Sequence, residues 1–241
     1  MGCIDKSCLG GLIGLEDNMK KLFKAIRDGD IELVKQLVDN KPELANCVAK
    51  QPPKKDDGQS PLQVALKTGN VAIADYLLDM GANVNYIEDE SCCNSWRTPV
   101  IHDAINCAVM LSRWNTNDKT FGFRLFSNKE RADAALNVLM RMIHLGADVN
   151  AIDSFGNSGL CRFGLQACQI LPAYDYVERC EREGRVFTDE LHEDLKKVLT
   201  VLKNAGADIN YYSPNFKTTV GKFYSYGSIG MLFDEVFGKD R

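Results

Sequence analysis

Apolar residues recur every three or four positions in several stretches of this chain, a spacing that predicts amphipathic helices. The clearest are VAIADYLLD, ALNVLMRMIH and LKKVLTVLKN. Each closes with a similar short segment: Met80-Gly81-Ala82-Asn83-Val84-Asn85, Leu145-Gly146-Ala147-Asp148-Val149-Asn150 and Ala205-Gly206-Ala207-Asp208-Ile209-Asn210. A glycine directly after an apolar run predicts a helix stop, because a residue without Cβ enters the left-handed conformation cheaply. Upstream of the first copy, Asp57-Gly58 predicts a tight turn, Ser60 a helix N-cap and Pro61 the first helical position. Lys67-Thr68-Gly69-Asn70 then separates that helix from the next. Turn, helix, turn, helix and closing loop together span about 33 residues.

The same plan restarts twice at greater length. Thr98-Pro99-Val100-Ile101-His102-Asp103-Ala104 opens a second unit whose closing Gly146 lies 47 positions after Pro99, against 20 from Pro61 to Gly81. The excess of 27 positions predicts added residues between or within its helices, with an insertion over roughly Leu111 to Lys129. The third unit begins near Asp153, carries Gly159 where the proline stood, and again needs 47 residues to reach Gly206. Before the repeats, LFKAIRDGDIELVKQLVDN predicts a helix pair broken at Asp28-Gly29-Asp30, with a lysine-rich outer side. Residues 41–59 are expected to loop, and 213–241 to close the array with a helix near Ile229–Phe237.

Ser60-Pro61-Leu62-Gln63-Val64-Ala65 and the 33-residue period resemble the ankyrin repeat and its T-P-L-H-x-A signature. The resemblance covers about residues 18–212, in three or four units, and implies an all-α solenoid of helix–turn–helix units joined by short hairpin loops. The expected organisation is a flexible tail over 1–17, a cap pair over 18–47, a repeat over 57–89, enlarged repeats over 95–153 and 154–212, and a cap over 213–241. In this family the histidine of the signature ties neighbouring loops by hydrogen bonds, which is the role implied for His102.

Composition narrows the function. A formal charge of −4 and a charged fraction of 26% lack the basic excess of a general nucleic-acid binder. No stretch approaches the length and apolarity of a membrane span, and the N-terminal segment does not read as a secretory leader. Met1-Gly2-Cys3 offers groups used in dual acylation, but Lys6 stands where Ser or Thr is wanted, so no membrane anchor is expected. Nine cysteines without regular spacing predict free thiols and a cytoplasmic protein.

Candidate chemistry is sparse. His102, His144 and His192 have no sequence neighbour that completes a nucleophile–base pair. Cys92, Cys93, His102 and Cys107 match no zinc spacing, and Gly10-Gly11-Leu12-Ile13-Gly14 lacks the strand and the Lys-Ser/Thr of a phosphate loop. No catalytic residue, metal or cofactor is therefore expected. The reading is a monomeric, non-enzymatic module of adaptor, scaffold or inhibitor type. It grips a protein partner through a concave face and the loops bearing Tyr86, Ile87, Glu88, Asp89, Trp96, Asp153, Phe155, Tyr211, Tyr212 and Phe216. The rival reading is an enzyme or small-molecule sensor with a site between the enlarged units, using His102, Cys107 or His192. The insertion from Trp114 to Phe126 carries four aromatics and is expected to fold back on its own repeat or join the binding surface.

Overall fold

In the computed structural model, residues 6–239 are described, with side chains from Glu16 onward. The chain divides into two units, one ending at Ser95 and the other beginning at Trp96. In the first, α1 (Lys6–Asp28) and α2 (Ile31–Asn40) form a pair, and α3 (Pro61–Lys67) and α4 (Val71–Asp79) form another. Asp30 caps α2 by accepting from Leu33 N–H, and Ser60 and Gln63 make a reciprocal capping box on α3. Leu22 and Ile26 of α1, Val34 and Val38 of α2, Leu62 and Leu66 of α3 and Leu77 of α4 are buried, so each helix contributes one apolar stripe to a shared core. The expected tail over 1–17 is corrected over residues 6–17, which are the first half of α1; Gly2 and Cys3 lie outside the described residues. The connection over 41–59 contains two short 3₁₀ turns, Pro42–Asn46 and Lys54–Asp56.

The second unit repeats the pairing with hairpins set into it. Helix α5 (Val100–Met110) is followed by β1 (Asn115–Asp118), β2 (Gly122–Leu125) and α6 (Lys129–His144). Helix α7 (Gly159–Ala167) is followed by β3 (Tyr174–Asp175), β4 (Cys180–Glu181) and α8 (Asp189–Asn204). Then come β5 (Tyr212–Ser213), β6 (Thr218–Thr219), α9 (Val220–Phe223) and α10 (Gly227–Phe237). The chain is about half helix, and three two-stranded antiparallel ribbons depart from the all-α expectation. Helix α5 packs on both α6 and α7, and α8 packs on α10. Gly164 on α7 lets the buried Tyr224 ring lie against the helix backbone, where any Cβ would collide with it.

The three glycine endings have one geometry. Gly81, Gly146 and Gly206 all have positive φ, and each donates to the carbonyl three residues back. The following Ala82, Ala147 and Ala207 donate to the carbonyls of Leu77, Met142 and Leu202, which completes a Schellman cap. Asn83, Asp148 and Asp208 then each accept from the backbone N–H two residues on, at 3.0, 2.9 and 2.8 Å.

Candidate functional site

Side-chain amides join successive loops within each unit. Asn46 donates to Gly81 O at 2.9 Å and accepts from Asn83 N–H at 2.7 Å. Asn150 does the same with Gly206 O and Asp208 N–H, both at 2.9 Å. A second parallel links the loop tyrosines: Tyr86 donates to Gly58 O and Tyr211 to Gly156 O, at 2.6 and 3.0 Å. Gly58 and Gly156 both have positive φ, two residues before the capping serines Ser60 and Ser158. These bonds satisfy loop backbone and hold the loops at fixed heights.

In the first unit, Ile87 and Asp89 are exposed, and Tyr86 is half-buried, its phenol pushed up to about 12 chiefly by burial and then by Glu88. Glu88 does not face a partner: it is 4% exposed and pairs with Lys67 at 3.6 Å. In the second unit, Asp153 is likewise 4% exposed, and its placement on a binding surface is corrected for the same reason. Its carboxylate accepts from Trp96 Nε1 at 2.9 Å, Arg162 Nη2 at 2.9 Å, Asn157 Nδ2, and the backbone N–H groups of Phe155 and Asn157. Burial alone would raise its pKa, but these hydrogen bonds, led by Asn157 and Trp96, hold it below the usual carboxylate range.

Arg162 is the residue that sequence reasoning missed. Its guanidinium lies 4.3 Å from the Trp96 ring centre while pairing with Asp153, so one buried ion pair clamps the indole. Trp96 in turn meets Phe155 edge-on at 5.9 Å. Phe155 and Tyr212 remain 51% and 60% exposed. Asn215 joins their loops by donating to Phe155 O at 2.6 Å, and Phe216 stacks on Phe223 at 3.8 Å. Of the ten expected contact residues, Ile87, Asp89, Trp96, Phe155 and Tyr212 are displayed; Tyr86, Tyr211 and Phe216 are partly buried by structural contacts.

The first inserted ribbon does not simply fold back on its own helices. Trp114 stacks on Phe126 at 4.2 Å across its base. The buried Asn115 side chain then bonds both Val186 O and Val186 N–H, and Asn117 N–H donates to Gly184 O. The ribbon therefore leans on the far arm of the second insertion. Below it, Arg113 forks onto the buried Asp194 carboxylate and reaches Glu193.

The titratable groups weighed for catalysis are buried or paired. His102 is fully buried and meets Ala151 O at 2.8 Å through Nε2, and burial, then Arg162, lowers its pKa to about 4. It ties α5 to the loop at Ala151, where the resemblance implied a bond between neighbouring loops. The Cys107 thiol is pushed up to about 12 by burial. His192 pairs with Glu235 at 2.9 Å. Among the described residues, no group of three or more His, Cys, Asp or Glu side chains is placed to hold a metal ion, and no helix is long and apolar enough to cross a membrane.

Paired helices, Schellman endings and amide-clamped loops define a helical-repeat scaffold. A family model for ankyrin repeats, in three copies, matches residues 7–111, and over that stretch the chain is similar to ankyrin repeats. Ankyrin repeats are generally protein–protein interaction modules and typically not enzymes. No curated protein matches this chain.

Proposed function

We propose that this protein is a non-enzymatic binding module, of the adaptor, scaffold or inhibitor kind, that grips a protein partner with its inter-repeat loops and the adjoining first-helix faces. The observation that carries this reading is the Trp96–Phe155 pair, two large rings held at the surface by a buried Asp153–Arg162 ion pair. An aromatic anchor immobilised before binding loses little entropy on association, which suits a contact that dominates affinity. The matching asparagine clamps at Asn46 and Asn150 support extending the ankyrin array beyond residue 111, with 95–153 and 154–212 as two further repeats opened by their hairpins. The burial of His102 and Cys107 and the pairing of His192 with Glu235 count against the rival enzymatic reading.

The test is affinity capture from native lysate with wild type beside a triple variant, Ile87→Ser, Phe155→Ser and Tyr212→Ala. These three exposed side chains can be cut back without breaking the clamps. A protein retained by wild type and released by the variant supports the loop surface. Equal retention refutes it.

A further inference from the structure

The β1–β2 ribbon has one edge in use and one open. Phe126 N–H donates to Trp114 O, which by the register makes Thr116 with Arg124, and Asp118 with Gly122, the hydrogen-bonded pairs of the ribbon. By alternation, the backbone groups of Asn115 and Asn117 on β1, and of Phe123 and Leu125 on β2, point away from the ribbon. On the β1 side that outward direction is taken, since Asn117 N–H reaches Gly184 O at 2.8 Å. On the β2 side, Phe123 and Leu125 have no hydrogen-bond partner among the described residues, and their side chains are 50% and 51% exposed. An edge of this kind, apolar and unblunted by proline or lysine, is a template for another strand.

We propose that β2 is a docking edge for an extended segment of a partner protein, which adds as a third strand and carries an acidic residue between two apolar ones. The apolar pair would pack beside Phe123 and Leu125. The acidic residue is set by Arg124, which lies between them and would stand directly opposite one residue of the added strand, where opposite charges attract and like charges repel. Arg124 makes no salt bridge among the described residues, and its guanidinium rests 5.0 Å from the Phe121 ring. The same arginine argues against a second copy as occupant, because a two-fold β2–β2 pairing that uses both open residues sets Arg124 against its own copy. This inference rests on the protein-binding reading and names a partner chemistry for it.

The experiment titrates two capped heptapeptides of alternating valine and threonine, one with a central valine–glutamate–valine and one with valine–lysine–valine, into ¹⁵N-labelled full-length protein. The expected result is that the amides of Phe123 and Leu125 shift with the glutamate peptide, which binds about tenfold tighter than the lysine peptide. Arg124→Glu should reverse that order. N-methylation of the peptide at amides facing β2 should weaken binding about tenfold for each bond lost, while methylation at the alternate amides should not. Leu125→Pro removes only an outward donor and spares the β1–β2 ladder, so it should abolish binding in a protein with an otherwise unchanged spectrum. No shift at Phe123 and Leu125 with either peptide at millimolar concentration overturns the proposal, as does a peptide preference that ignores Arg124→Glu. Self-association lost in Leu125→Pro would overturn it in favour of a second copy. A partner captured by wild type and retained by Leu125→Pro sinks the β2 edge but leaves protein binding standing; a wild type that captures nothing sinks the broader reading, and the titration then decides this edge alone.

Discussion

Replacing Asp153 with asparagine should loosen the second unit by several kcal/mol. The carboxylate is buried with Arg162, Trp96 and Asn157 all donating to it. An amide there presents N–H where donors already point and leaves Arg162 charged without its counterion. Breaking one side of a buried pair costs about 3–5 kcal/mol. With a urea slope of about 2 kcal/mol/M, a loss of 4 kcal/mol lowers the midpoint by about 2 M. The chain has two tryptophans, so a Trp114→Phe background leaves Trp96 as the fluorophore, in contact with the perturbed group. The folded-state pKa of Asp153 is depressed, so its contribution is present above the unfolded value near 3.9 and is lost as pH falls through the folded one. The deficit of the variant should therefore be constant from about pH 5 to 8 and narrow only below about pH 4. A midpoint shift below about 0.5 M, or Asp153→Asn and Arg162→Met effects that simply add, would refute the clamp.

Three further outcomes follow from the same contacts. His102 titrates near 4 in the folded state against about 6.5 unfolded, so stability should be flat above pH 6.5 and fall by about 3 kcal/mol on the way down to pH 4; His102→Gln should remove that part of the slope in urea titrations across pH. Gly164→Ala drives a methyl into the Tyr224 ring and should cost about 1–3 kcal/mol by calorimetry, with part recovered by adding Tyr224→Leu. Asn115→Ala strips both side-chain bonds to Val186, so amide exchange at Val186 and Asn117 should quicken, reflecting a loss of about 1–3 kcal/mol; unchanged exchange would mean the ribbon is held by Trp114 and Phe126 instead.

The local code was legible in the chain. Gly81, Gly146 and Gly206 announce helix stops because only the left-handed region accommodates the turn, and Ser60 with Gln63 announces a capping box, since both signals act within a few residues. Period and signature together sufficed for the ankyrin match over residues 7–111. The long-range pairings were not legible. Nothing in the order of residues places Arg162 beneath Trp96, or Asn115 beside Val186, 71 positions away. The same blindness put Asp153 and Glu88 on a partner surface, because a carboxylate in a polar loop reads as exposed until the cation it pairs with is known. Short-range hydrogen bonds and apolar spacing wrote the repeat into the sequence. Which aromatic rings are displayed, and which strand edge is left open, depends on side chains that meet only after the helices have packed.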